Sequence, residues 1–164
     1  MAHVRTDTPN IWAAAAAGLV AGLVASLAMD LFQAGIAALS SSDSDAEPAT
    51  EKAADKVSQA VVGHDIPDDR KPLAGQVVHY ALGAGLGIAY AVAAEYRPSV
   101  TAGYGTAFAA VTTTVLDEAA VPAAGLGDAP WNTAPTTHLY SAASHIVFGT
   151  VTESVRRLLL GWLK

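Results

Sequence analysis

Cysteine is absent from this chain of 164 residues. Disulfides and thiolate metal sites are therefore excluded, and the redox compartment leaves no mark on the sequence. Charge is also scarce. Asp, Glu, Lys and Arg make up 15% of the residues, against about 25% in an ordinary soluble domain. The shortage is uneven, because eight of the fifteen acidic residues lie between Asp43 and Asp69. Only nine residues are basic, and a net charge of −6 gives no footing for nucleic-acid binding. Several catalytic signatures are missing too: a phosphate-binding glycine loop, a nucleophile elbow and a zinc-protease helix motif. Nor is there a Glu-x-x-His pair of the kind that builds di-metal sites in ferritin-like bundles. The sequence leans away from an enzyme.

What is present is apolar. Residues of the hydrophobic class make up 52% of the chain, and they concentrate in four segments at about 11–39, 73–95, 101–120 and 137–163. A helix needs ~20 mainly apolar residues to cross a bilayer, and all four are long enough. The expected fold is all-α: a four-helix transmembrane bundle forming one integral membrane domain over 1–164. A secretory signal peptide is the alternative for the first segment, but its apolar core would be ~7–15 residues behind a basic leader. A soluble, Ala-rich bundle is the alternative for the whole, but the first two segments lack a polar face. A polar linker occupies 40–72. Within it Thr50 is a candidate helix cap, and Ala53, Ala54, Val57, Ala60 and Val61 would share one face of a short amphipathic helix. That helix lies either on the membrane or on the bundle. Four crossings place both termini on one side, with Arg5, Arg97, Arg156, Arg157 and Lys164. The bias of Lys and Arg toward cytoplasmic flanks puts that side inside.

Small residues form rows at helical spacing. Gly18, Gly22 and Ser26 do so in the first segment, and Gly83 and Gly87 in the second. In the third, Gly103, Thr106, Ala110 and Thr113 fall near one face, which Asp117 shares. Small residues let membrane helices approach closely. The apolar segments also contain Asp30, His79, Asp117, Glu118, His145 and Glu153, with His138 at an edge. An ionised group at mid-helix costs ~2.5–3.5 kcal/mol on insertion scales and needs a partner. Depth counting puts Asp30, His79, Asp117 and His145 at one level, in the outer half of the membrane. Three roles are open to them: register-fixing pairs, proton or small-ion handling, or ligation of a metal, including a haem clasped by His79 and His145. Glu118, 100° round an α-helix from Asp117, is expected beside this cluster or facing the loop. Glu153 precedes Arg156 and Arg157 by three and four residues, which predicts local neutralisation.

The order "GLVAGLVAS", "HYALGAGLGIAYAVAAEYRP", "PAAGL", "PW" and "SHIVFGTVTESVRR" resembles the YagU-like family of bacterial inner-membrane proteins. The resemblance runs from Gly18 to Arg157. It places His79, Tyr90, Glu95, Pro122, Trp131, His145, Glu153 and Arg156 on the family pattern. It implies a polytopic inner-membrane protein and no assigned activity. One departure is "AMDLF", where members can carry a basic residue near the end of the first helix. The expected function is a non-enzymatic accessory or structural subunit of a larger membrane complex, with the bilayer and other membrane subunits as partners. The alternative is an ion-, proton-, metal- or haem-binding membrane protein using the His/carboxylate cluster. No cofactor is required by the sequence.

Overall fold

The structure is a computed structural model and describes residues 10–39 and 47–162. Arg5 and Lys164, which enter the orientation count, lie outside the described residues, as do the start of the linker and Leu163. The described residues are all helical apart from turns and short irregular connections. Helix α1 spans Ile11–Leu39 and α2 spans Ala49–Val62. A 3₁₀ turn at Asp68–Arg70 leads into α3, Lys71–Tyr96, and a second at Pro98–Thr101 precedes α4, Thr106–Thr112. The chain then continues as a π-helix over Thr113–Ala120 and one closing turn, α5, Val121–Ala123. A third 3₁₀ turn, Pro130–Asn132, leads to α6, Pro135–Trp162.

Backbone contact between α1 and α3 follows from their glycines. A methyl group built on Gly22 would lie on the Gly83 carbonyl oxygen, and one on Gly18 on that of Gly87. Ser26 packs where a Gly83 side chain would stand. A second crossing is built from Gly105, at the start of α4, and Gly149 of α6, each lying against the other's carbonyl oxygen. Gly105 also has φ 88°, which independently favours glycine.

Burial is inverted relative to a soluble domain. The α1 core face is Ala14, Ala17, Gly18, Ala21, Gly22, Ala25 and Ser26, while Leu19, Val20, Leu23, Val24, Leu27 and Leu31 face outward. Large side chains enter the core mainly at one place. There Ala25, Met29 and Phe148 meet Leu86, Phe108 and Val151, and the rings of Tyr90, Phe108 and Phe148 stack in sequence. Among the described residues, two helices are long and apolar enough to cross a membrane by length and composition, Ile11–Leu39 and Asp68–Tyr96. The other two expected crossings do not reach that standard. The 106–123 run carries Asp117 and Glu118 and changes helix type within its length. Helix α6 mixes histidines, hydroxyls and three charged residues into its 28 positions.

Several expectations are corrected. The third helix begins at Thr106 rather than 101, and Gly103 sits in the preceding turn with φ 61°. Its buried residues are Ala109 and Thr112, not the row through Ala110 and Thr113. Thr50 lies inside α2, whose N-cap is Pro48. Helix α2 buries Ala54 and leaves Val57 and Val61 exposed.

Candidate functional site

The π-helix is explained by its own side chains. Thr112, Thr113 and Thr114 turn their hydroxyls back onto the carbonyls of Phe108, Ala109 and Ala110 at 2.9–3.1 Å. Such bonds compete with the backbone N–H groups for those carbonyls. The following turn loosens to i→i−5 spacing, seen where the Val121 N–H reaches the Leu116 carbonyl. Pro122 adds to this, since it has no N–H to return to the preceding turn. The widened turn presents both Asp117 and Glu118 to α6.

On α6 the partners repeat along one stripe. Glu118 Oε1 lies 2.6 Å from His138 Nδ1, and His138 Nε2 lies 3.0 Å from the Pro130 carbonyl. Both ring nitrogens face acceptors, so both contacts are hydrogen bonds only when the imidazole carries two hydrogens. Asp117 Oδ2 accepts a short hydrogen bond from the Ser141 hydroxyl and lies 3.4 Å from His145 Nδ1. His145 Nδ1 also lies 3.1 Å from the Ser141 carbonyl. Nδ1 therefore carries hydrogen, and in the neutral ring Nε2 keeps the lone pair. On the opposite wall, Gln76 Nε2 donates to Asp30 Oδ2 at 2.6 Å. His79 Nε2 stands 3.2 Å from Asp30 Oδ1. That nitrogen is buried without a hydrogen-bond partner, so the approach is close but out of line.

Asp30, His79, Asp117 and His145 all line one cavity of about 810 Å³. Its walls come from residues 29–33 of α1, 48–51 at the N-terminus of α2, 72–86 of α3, 116–126 and 137–148 of α6. The four ionisable residues form two pairs rather than one cluster. Among the described residues, no group of three or more His, Asp or Glu is placed to hold a metal ion. Glu118 and His138 form a third pair beside the cavity, outside its lining.

Glu153 forms a separate centre toward the other end of α6. It is 0% exposed. Arg156 Nε donates to Oε2 at 2.8 Å and Arg157 Nε to Oε1 at 2.5 Å. The Tyr90 hydroxyl donates to Oε2 at 2.9 Å, tying α3 into the group. Arg157 also covers the Tyr104 ring at 4.7 Å. Spacing on α6 alone foretells the arginines but not Tyr90, which comes from another helix.

The two side chains that donate to the cavity's paired carboxylates, Gln76 and Ser141, escaped the sequence reading. The signal was present: Gln76 lies three residues before His79 and Ser141 four before His145, spacings that share a helix face.

No curated protein and no solved structure matches the chain. One family model does match, over residues 54–154, and its description does not name the YagU-like proteins. The matched region holds His79, Asp117, Glu118, His138, His145 and Glu153, and leaves Asp30 outside. More than half of the sequence lies within it, so this chain, helical throughout its described elements and with two helices among the described residues apolar enough to span a membrane, belongs to the DUF1440 family, described as protein of unknown function.

Proposed function

We propose that this chain is a small polytopic protein of the bacterial inner membrane, a four-helix transmembrane bundle with both termini cytoplasmic. In this reading α1, α3, the 106–123 run and α6 cross the bilayer. The protein acts by admitting a small ligand or ion to the His/carboxylate cavity, not by covalent catalysis. The inverted burial of α1 supports the membrane part. Small residues inside and leucine and valine outside suit lipid, where helices associate through close packing. The YagU-like resemblance points to the same membrane.

The observation that carries the functional part is that two separate His–carboxylate pairs open on one cavity. Polar pairs that only fix helix register have no need of adjoining space. A carboxylate beside an imidazole can take up or release a proton as an occupant arrives, and the cavity volume falls within the ~300–1,000 Å³ of small-molecule sites.

The test uses the absence of cysteine. Gln76→Cys and Ser141→Cys, each in membrane vesicles, should react with an impermeant maleimide from the side opposite the termini. Ala25→Cys, fully buried, should not. If neither cavity cysteine reacts while His64→Cys in the α2–α3 connection does, the cavity is closed to water and the reading fails. Visible spectra and metal analysis of the purified protein identify a haem or metal occupant. An accessory-subunit role is a second proposal, drawn from the apolar outer faces, which suit neighbouring helices as well as lipid. The mass of the species extracted in mild detergent tests it.

A further inference from the structure

We infer that the occupant of the cavity is a protonated amine carried on an apolar body; this rests on the cavity being the functional site. Charge selects the sign. Asp30, Glu51 and Asp117 line the cavity, and no lysine or arginine among the described residues does. Two of the basic side chains next to the lining are engaged elsewhere. Lys71 reaches Glu47, Asp55 and Asp68 at 3.1–3.3 Å, and Lys56 donates to the Ala124 carbonyl. Nothing positive in the lining meets the carboxylates except imidazoles, and each imidazole stands beside its own acid.

The rest of the wall selects the body. Leu82, Leu86, Leu116 and Phe148 present hydrocarbon, with Tyr140 as an aromatic face. A bare metal ion would find no three-ligand set and would leave this apolar volume unused. An ammonium group needs less. It carries three N–H donors and no acceptor. The carboxylates of Asp30 and Asp117 are acceptors with oxygens engaged by only one or two neighbours each. A carboxylate ligand would meet like charge, and a phospholipid amine would bring its phosphate into an acidic chamber. The free amine is therefore the class that fits.

The experiment uses the full chain in lipid nanodiscs and three probes of one shape: 2-phenylethylamine, 2-phenylethanol and 3-phenylpropionate. Calorimetry should give saturable binding of the amine, with the alcohol and the carboxylate each at least about tenfold weaker, the scale of a lost charge-assisted hydrogen bond. Asp30→Asn and Asp117→Asn should each weaken amine binding by about tenfold. Asp69→Asn, in the connection before α3, should leave it unchanged. The amine should also protect Gln76→Cys from the maleimide. Equal binding of alcohol and amine, tighter binding of the carboxylate, or amine binding indifferent to both Asn variants overturns the assignment. If the cavity cysteines label but the amine does not bind, the amine is wrong and the cavity stands. If neither cysteine labels, both readings fall.

Discussion

Glu153 illustrates how a buried charge is retained at the residue scale. Its carboxylate has no exposure, yet four donors from three side chains converge on it. The desolvation cost of a buried ion is large and is offset only when its lone pairs are met. Tyr90 is itself 1% exposed, so Tyr90→Phe removes a donor that water cannot replace. We expect a loss of about 1.5–3 kcal/mol, the range for hydrogen bonds to charged groups. Thermal denaturation in detergent measures it, and a melting temperature equal to wild type contradicts the network. Arg156→Ala should be costlier than Arg157→Ala, because Arg156 makes two hydrogen bonds and is nearly buried whereas Arg157 is half exposed. The reverse order would mean that the cation over Tyr104 matters more than the carboxylate.

At the element scale, the α1–α3 crossing leaves no room for a side chain at Gly22. Gly22→Leu must separate the helices, and overpacking of this kind costs typically ~1–3 kcal/mol. A lowered melting point is expected, and Gly35→Leu, where nothing stands within 4 Å, should be tolerated. Equal melting points for the two variants would remove the crossing as a stabilising contact. Helix α2 is held differently, by charge. The Ile66 N–H donates to Asp55 Oδ1 at 2.8 Å, and this bond, with Lys71 adding to it and burial opposing, keeps the Asp55 carboxyl below its usual range. A depressed folded pKa contributes stability that is present above the unfolded value, about 4, and is lost as pH falls through the lower folded one. Amide exchange of α2, corrected for intrinsic rates, should therefore accelerate in acid, and Asp55→Asn should show the faster exchange already at neutral pH. Protection that is the same at neutral pH and in acid would show that this carboxyl does not anchor the helix.

For the whole molecule, the decisive measurement is topology. A reporter fused after Lys164 and another inserted at Gly63 should report opposite sides of the membrane, since an odd number of crossings separates 63 from either end in the four-crossing arrangement. Reporters on one side would contradict it, and a third reporter at Gly127, on the Gly63 side with four crossings but on the Lys164 side if only α1 and α3 cross, separates it from the two-crossing arrangement. Much of the helical content was legible in the residues, because apolar length and small-residue spacing are local properties: the run from Ile11 to Leu39 and the Gly18–Gly22 row need no knowledge of neighbours. The i, i+3 and i, i+4 arginines of Glu153 were legible for the same reason. The partner of Glu118 was not. A position beside the cluster was expected, but the pairing with His138 depends on which α6 residue faces the π-helical turn. Nor could spacing reveal that Asp30 meets His79 while Asp117 meets His145, or that a cavity separates the two pairs. Sequence determined which groups must be paired, since an apolar segment penalises any ion left alone. Only the tertiary structure decided the partners, because partner choice rests on which helix faces which across the glycine crossings.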